Sequence, residues 1–149
     1  MVISNLRVDK IEKDISIIQE FLSELRNLAT LSKEDFMSDK RNPAAAESYL
    51  RRSLEAVFDI GRHILSKTYG IKDIEYKNIA RELGEKGIVN KEYAGVLTKM
   101  AGYRNRMVHL YHEVRPEELY EILGRHLEDI ESFNSEIVRF LEDYRETGK

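Results

Sequence analysis

The 149-residue sequence contains no cysteine, which excludes a disulfide framework and a thiolate metal site. It has only two prolines, Pro43 and Pro116, and its eight glycines are scattered, so no stretch resembles a long flexible linker. No apolar run approaches the roughly 18 residues that a membrane-spanning helix requires. Charged residues follow soon after the first five, unlike the pattern of a signal peptide. We therefore expect a single cytoplasmic domain over residues 1–149.

The chain also lacks an excess of positive charge, since its formal net charge is −3 at pH 7. Proteins that coat nucleic acid indiscriminately are usually basic, because neutralisation of phosphate supplies most of their affinity. Any contact with RNA or DNA must therefore come from a local patch. The segment 104–115 predicts such a patch, because three of its residues are arginines and only one is acidic. These residues are Arg104, Arg106, Arg115 and Glu113.

Hydrophobic residues recur at steps of three and four along most of the chain, which is the spacing of an amphipathic helix. One seam runs from Val8 to Ala29 and another from Leu123 to Tyr144, and we expect these two helices to pack near each other. The first seam would also suit a coiled coil, but matching stripes elsewhere favour a bundle. No segment keeps the alternation of a strand. The sequence predicts an all-α fold, an antiparallel helical bundle of four to five main helices.

Capping residues predict the helix boundaries in the first half of the chain. Ser4 or Asn5 is suited to cap the first helix. The run 32–35 has the form of a capping box that opens a short helical turn. A second long helix is predicted over about residues 43–67, and Tyr69 and Gly70 are expected to end it. Gly61 within its apolar face indicates a close contact with another helix.

Similar signals place the helices of the second half. A shorter helix is predicted over about residues 76–85. Asn90 is expected to cap the next helix, over about residues 91–110. Pro116 is expected to begin the last helix, which we predict to continue unbroken along the second seam to Tyr144.

Arg104 lies on the apolar stripe of the helix predicted for residues 91–110. A cation in that position must be paired, or must face a cleft or a partner chain. Chemically able side chains are densest in the residues that follow it, namely Asn105, Arg106, His109, Tyr111 and His112.

These residue types suit cleavage of RNA without a metal. A histidine can take the proton of a ribose 2′-hydroxyl or give one to the leaving oxygen near neutral pH. An arginine can hold the phosphate and stabilise the charge that develops on it. A tyrosine can stack on a base or bond to phosphate. Attack by the 2′-hydroxyl leaves a cyclic phosphate, a reaction that DNA cannot undergo.

Helix geometry constrains how these residues meet. Positions five apart lie about 140° apart around a regular helix, so Arg104 and His109 do not converge on one face. Either the helix ends near His109, or a second copy of the chain completes the site. We favour the second arrangement, because a two-fold axis beside this helix would gather two arginines and two histidines in one cleft.

The run Arg-Asn-x-x-x-His-x-Tyr at residues 104–111 resembles the Arg-x4-His-x-Tyr motif of HepT-like toxins, a minimal branch of the HEPN superfamily of helical ribonucleases. A bare Arg-x4-His is a weak signal, but the flanking sequence is also similar in the expected order, from roughly residue 50 to residue 145. The flanking stretches that carry the resemblance are 53–65, 83–88, 97–105 and 119–123.

The resemblance implies a homodimer with the motif at its interface, with further association of dimers left open. It also implies metal-independent ribonuclease activity without a cofactor, with Arg104 and His109 as the catalytic pair. The implied partner is a small nucleotidyltransferase antitoxin that can silence the toxin by adenylylating Tyr111. An AMP group there would compete with RNA phosphate for the same cations.

Other interpretations of these residues stay open. Arg104 can be a structural ion pair, His109 a surface histidine and Tyr111 a core or rim aromatic. Asn105 can orient the site or simply bond locally, whereas we assign Arg106 and His112 to a solvated, RNA-facing rim. The alternative function is a non-catalytic HEPN-like dimer that binds a nucleotidyltransferase, and a third is a plain structural four-helix dimer.

Four further polar residues stand on or beside apolar faces. We interpret His63 as structural and His126 as a satisfied core histidine. Glu55 and Asp59, four residues apart, would suit a metal pair but more often form salt bridges. Asp59 is also a candidate partner for Arg104.

Overall fold

The computed structural model describes residues 6–73, 75–108 and 114–148. These residues form seven α-helices and a final π-helical turn, and no strand occurs among them. The α-helices are α1 (Val8–Ala29), α2 (Lys33–Ser38), α3 (Arg41–Tyr69), α4 (Tyr76–Glu85), α5 (Lys91–Val108), α6 (Pro116–Arg125) and α7 (Leu127–Asp143), and the π-helical turn is Tyr144–Gly148. The predicted all-α fold is confirmed.

Helices α1 and α3 pack against each other in opposite directions. The Arg7 backbone N–H, just before α1, donates to Nε2 of His63 near the end of α3, over 3.1 Å. Farther along α1, the ring of Phe21 lies 4.6 Å beneath the guanidinium carbon of Arg52, in the first half of α3. Early residues of one helix thus meet late residues of the other, so the predicted antiparallel arrangement is confirmed.

Helix α7 runs antiparallel to α1 on another side, which confirms that the first and last seams pack together. Arg145, beyond the end of α7, pairs with Glu12 in the first half of α1. Near the opposite end, Arg26 pairs with Glu131, which lies early in α7. These ion pairs flank an interior where Ile18 and Ile137 are fully buried.

Helix α3 contacts each of the other six α-helices. Its 29 residues span about 43 Å at 1.5 Å per residue. The predicted apolar face is buried along this length. Its large buried side chains are Leu50, Leu54, Val57, Phe58, Ile60, Ile64 and Leu65.

Two glycines let α4 approach its neighbours closely. A Cβ atom on Gly61 of α3 would lie 2.8 Å from Cδ1 of Leu83 in α4, which confirms the predicted close contact. A Cβ atom on Gly84 of α4 would lie 2.6 Å from Cβ of Ala94 in α5. Since neither position has room for a side chain without movement, α4 is held tightly against both α3 and α5.

Several predicted helix ends are confirmed. The Ser32 hydroxyl accepts a hydrogen bond from the backbone N–H of Asp35 over 3.0 Å and so caps α2. Oδ1 of Asn90 accepts one from the backbone N–H of Tyr93 over 3.0 Å at the start of α5. Gly70 ends α3 in the left-handed region, with φ 70°, where glycine is favoured.

The predicted cap of α1 is wrong. The helix begins at Val8 with Arg7 at the N-cap position, too late for Ser4 or Asn5 to cap it, and both of those residues lie outside the described part of the chain. No side chain from its own first turn caps α1; instead His63 accepts the Arg7 N–H. The structural role predicted for His63 is therefore confirmed.

The prediction of one unbroken last helix is also wrong. His126 leaves helical geometry, with φ −119° and ψ 1°, and separates α6 from α7. The break is a single residue, so the three-four spacing of apolar residues continues across it and conceals it in the sequence. Together with the short α2, this break raises the number of helices above four to five.

His126 itself is not a core residue, contrary to the prediction. Its side chain is 37% exposed, and its Nδ1 lies 3.0 Å from Oδ2 of Asp129 in the first turn of α7. It is satisfied by hydrogen bonding but stands at the surface, because the helix break turns it outward.

Within the described residues, no helix is both long enough and apolar enough to cross a membrane.

Candidate active site

The motif begins near the end of α5, which carries Arg104, Asn105 and Arg106. His109, Tyr111 and His112 lie outside the described residues, so the roles predicted for them stay predictions. The described part of the site is therefore the arginine end of the motif and the side chains that surround it.

Arg104 is held by side chains from two other helices. Its Nη2 donates to Oε2 of Glu55 in α3 over 3.3 Å, and its guanidinium carbon lies 4.5 Å from the ring centroid of Tyr76 in α4. The arginine side chain is 26% exposed. The prediction that a cation on this apolar stripe must be paired is confirmed.

The partner of Arg104 is Glu55 rather than Asp59, so that prediction is wrong. Asp59 lies one turn farther along α3 and pairs with Arg62. The interpretation of Glu55 and Asp59 as salt-bridge residues is confirmed, because each carboxylate pairs with arginine.

Glu55 divides its carboxylate between two arginines. Oε1 accepts a hydrogen bond from Nη1 of Arg51 over 3.4 Å, while Oε2 accepts the one from Arg104. Two guanidinium groups therefore flank one carboxylate and leave this cluster with a formal charge of +1. Such a cluster attracts an anion, and a planar guanidinium edge suits a phosphate group.

Tyr76 provides the aromatic surface under Arg104. Its ring stacks on Phe58, with centroids 4.6 Å apart and an angle of 18° between the planes. Burial raises the pKa of the Tyr76 hydroxyl above its usual value, and the nearby Arg104 charge opposes that rise. The ring is thus a neutral, fixed platform on which the guanidinium rests.

Among the described residues, one donor of Arg104 has no partner. Its Nε–H is buried and finds no hydrogen-bond acceptor among the described residues. A buried unpaired donor loses about 1–3 kcal/mol relative to its hydrated state. Groups of this kind are rare in native structures and call for a functional or structural reason. The guanidinium is thus anchored without having all of its hydrogen bonds filled.

Arg106 faces a different neighbour from Arg104. Its two terminal nitrogens donate to the two carboxylate oxygens of Glu118 in α6, over 2.6 and 2.8 Å. This pair raises the pKa of Arg106 and lowers the pKa of the Glu118 carboxyl, chiefly through the hydrogen bonds. The contact joins α5 to α6 across the segment that carries the rest of the motif. The predicted place of Arg106 on an RNA-facing rim stays a prediction.

Sequence reasoning missed Glu55 and Tyr76 as site residues. Glu55 was considered only as a salt-bridge or metal residue, and Tyr76 only as the start of a helix. They lie 49 and 28 positions before Arg104 in the sequence, and no local spacing connects them to it. The available signal was indirect: a cation on an apolar stripe requires a partner, and acids on α3 are candidates.

Comparison with solved structures identifies the fold. The fold matches, with a TM-score of 0.81 and 24% sequence identity, a structure described as the tri-AMPylated Shewanella oneidensis HEPN toxin in complex with MNT antitoxin. The match covers 89% of this chain and 99% of that chain. The chain therefore has the helical fold of a HEPN toxin.

Sequence comparison then identifies the family. A family model described as ribonuclease HepT-like matches residues 11–137, so the chain belongs to the HepT-like ribonuclease family. The matched range begins within α1. It therefore includes residues well before residue 50, where the similarity of the motif and its flanking sequence begins.

Two relatives carry the nuclease description in their names. The chain is 27% identical over 138 residues to a tRNA nuclease HepT of Aphanizomenon flos-aquae, covering 93% of this chain and 94% of the relative. It is 32% identical over 85 residues to an mRNA nuclease HepT of Shewanella oneidensis, covering 56% of this chain and 63% of that relative. The named RNA class thus differs between the two relatives.

Proposed function

We propose that this chain is the ribonuclease toxin of a toxin–antitoxin pair and acts on RNA in the cytoplasm. The observation that carries the proposal is the state of Arg104, the first residue of the family motif. It is anchored by Glu55 and Tyr76, yet its side chain is partly exposed and its guanidinium is not fully hydrogen-bonded by the described residues.

The proposed reaction is an internal transfer at the RNA phosphate. The ribose 2′-oxygen attacks the adjacent phosphorus and loses its proton to a base, as the phosphorus–5′-oxygen bond breaks and the leaving oxygen gains a proton. Arg104 stabilises the charge that develops on the phosphate oxygens. His109, at the motif spacing, is the group that titrates in the right range to move a proton. The products are a 2′,3′-cyclic phosphate and a 5′-hydroxyl.

A second copy of the chain completes the site in this proposal. The support is helix geometry, since residues five apart on a regular helix point about 140° away from each other. Arg104 faces α3 and α4 of its own chain, so a histidine at position 109 would be directed elsewhere if the helix continued. A symmetric dimer through the end of α5 would bring His109 of one copy toward Arg104 of the other.

The proposed partner is a nucleotidyltransferase antitoxin that adenylylates Tyr111. The support is the likeness in fold to the AMP-modified Shewanella oneidensis toxin bound to its MNT antitoxin, together with a tyrosine at the motif position. The Tyr111 hydroxyl would attack the α-phosphate of ATP, and pyrophosphate would leave. The attached AMP would carry an anionic phosphate, which would compete with the phosphate of RNA for Arg104.

The nuclease is tested with the chain purified free of its partner and incubated with RNA in EDTA. We expect cleavage to products ending in a cyclic phosphate, and loss of cleavage in Arg104→Ala and His109→Ala variants that remain dimeric by light scattering. Arg62→Ala, which removes an arginine paired outside the motif, is the matched control. Cleavage that persists equally in all variants would indicate a contaminating nuclease and contradict the proposal.

Modification is tested by coexpression with the proposed nucleotidyltransferase partner. Mass spectrometry should find AMP on the peptide that contains Tyr111, and the Tyr111→Phe variant should carry none. AMP on another residue, or its absence while the partner still blocks cleavage, would contradict adenylylation of Tyr111 and favour inhibition by occlusion.

A further inference from the structure

We propose that Glu55 is the positioning residue of this site, which fixes the guanidinium of Arg104 for the scissile phosphate. This inference deepens the proposed ribonuclease function and rests on it. It concerns a residue of α3 that lies far outside the motif in sequence.

The first support is that Arg104 is restrained from two directions. Glu55 holds one terminal nitrogen from α3, and the Tyr76 ring covers the guanidinium from α4. A free arginine side chain samples many rotamers, so a group already held in place loses less freedom when it engages the phosphate. Glu55 provides the polar part of this restraint, and its single hydrogen bond sets the direction of the guanidinium edge.

The second support is that the contact is incomplete. The Arg104–Glu55 hydrogen bond is single and 3.3 Å long, and the other carboxylate oxygen is engaged by Arg51. Because each oxygen of Glu55 accepts from a different arginine, Glu55 does not form with Arg104 the paired, two-bond contact that guanidinium and carboxylate groups favour. Arg104 is therefore oriented by Glu55 without being saturated by it, and the exposed part of its side chain stays available to a phosphate, whereas its buried Nε does not.

These two supports predict opposite effects on catalysis and binding. Removing the charge of Glu55 loosens Arg104, so turnover falls. It also removes a competing anion from beside the phosphate site, so RNA binds at least as tightly. A purely structural role would instead reduce the amount of folded enzyme, which lowers the apparent kcat and leaves KM unchanged.

The kinetic experiment compares wild type with Glu55→Gln, which keeps the shape of the side chain and removes its charge. We expect kcat to fall about 10-fold to 100-fold, the range for a misplaced catalytic group, while KM falls or binding of 2′-O-methyl RNA tightens severalfold. Asp59→Asn is the matched control, because it removes the same charge from the same helix one turn away and lies against Arg62. Equal kinetics for Glu55→Gln and Asp59→Asn would overturn the proposal.

A second measurement is independent of activity. Because Nε of Arg104 is buried, its N–H should give a slowly exchanging signal in a 1H–15N spectrum, assigned by its loss in Arg104→Lys. We expect Glu55→Gln to broaden or shift this signal and Asp59→Asn to leave it in place. An unchanged signal in Glu55→Gln would overturn the positioning role. The wild-type protein could cleave no RNA while its Arg104 signal still changes in Glu55→Gln. That result would contradict the ribonuclease proposal and support the positioning of Arg104 by Glu55.

Discussion

Arg104 and Arg106 stand two residues apart on the same helix, yet they are held in opposite ways. Arg106 donates to both oxygens of Glu118 at 2.6 and 2.8 Å, whereas Arg104 makes one 3.3 Å bond to Glu55 and rests on an aromatic ring. Two positions along an α-helix differ by about 200° around the axis. One arginine therefore faces α6 and the other faces α3 and α4.

The difference shows which arginine is suited to a ligand. A paired guanidinium–carboxylate contact uses the same donor edge that a phosphate would use. Arg106 has that edge engaged by Glu118, so its contact mainly ties α5 to α6. Arg104 is oriented and partly desolvated, and among the described residues only Glu55 accepts a hydrogen bond from its guanidinium. Residue type alone does not separate these arginines, but their surroundings do.

The largest expected effect is on the rate of RNA cleavage when each of the two arginines is replaced in turn. Arg104→Ala should reduce RNA cleavage by about 100-fold to 1000-fold, the range for removing a group that stabilises transition-state charge. Arg106→Ala should reduce cleavage by only a few-fold, because its main described contact is with Glu118. Initial rates at saturating RNA, with both variants checked for folding by circular dichroism, give the ratio. A larger loss in Arg106→Ala than in Arg104→Ala would reverse our assignment.

A substitution in α4 should disturb the surroundings of Arg104 but not the contact between Arg106 and Glu118. Gly84→Ala places a methyl group 2.6 Å from Cβ of Ala94, an atom fixed to the α5 backbone, and should destabilise the fold by about 1–3 kcal/mol. Because α4 also carries Tyr76, the displacement should lower cleavage as well. Gly61→Ala is the milder control, since its nearest contact is the movable end of the Leu83 side chain. Urea unfolding gives both stabilities, and equal losses would contradict the close α4–α5 contact.

The ion pair between Arg106 and Glu118 should contribute less to the stability of the fold. Glu118→Gln removes the charge from a pair whose side chains are 40% and 31% exposed, and pairs of that exposure contribute about 0–1 kcal/mol. The pKa of Glu118 is lowered by Arg106, so this contribution is present above the usual carboxyl pKa and is lost as the pH falls through the lowered value. In thermal unfolding, the difference between wild type and the variant should therefore be largest at pH 7 and shrink as the pH falls below the usual carboxyl pKa.

The dependence of stability on pH that arises from His63 must be separated from any dependence of RNA cleavage on pH at the candidate active site. Burial, and then the charges of Lys10 and Lys67, lower the pKa of His63 below its ordinary value of 6.5. The unfolded chain therefore binds a proton more readily, so this contribution to stability is present above pH 6.5 and is lost as the pH falls toward the lowered pKa. His63→Gln should flatten the dependence of stability on pH below 6.5. It should not change the ratio of the cleavage rates of the Arg104→Ala and Arg106→Ala variants. A slope unchanged by His63→Gln would contradict this origin.

The sequence was sufficient to predict the helical elements because their signals are local. Apolar residues three and four apart, the Ser32 and Asn90 caps and the Gly70 terminator each act within a few residues. The close contact at Gly61 was also predictable, since a glycine on an apolar helix face implies a neighbour without room for a side chain. The same reasoning showed that Arg104 needs a partner.

The rest depends on contacts between distant residues. That Glu55 and not Asp59 reaches Arg104 is decided by the rotation of α3 against α5, which no spacing in the sequence reveals. The break at His126 was hidden because a one-residue interruption keeps the apolar residues in phase. The replacement of a local cap on α1 by His63 is likewise a long-range contact, across 56 positions.

The central position of α3 limits how this protein can change its length during evolution. The helix contacts every other α-helix and also carries Glu55. Inserting or deleting one residue within it would rotate everything beyond that point by about 100°, which would misplace either the buried face or the carboxylate. Point substitutions in α3 can be tolerated singly, but we expect insertions and deletions among homologues to be confined to the connections between helices.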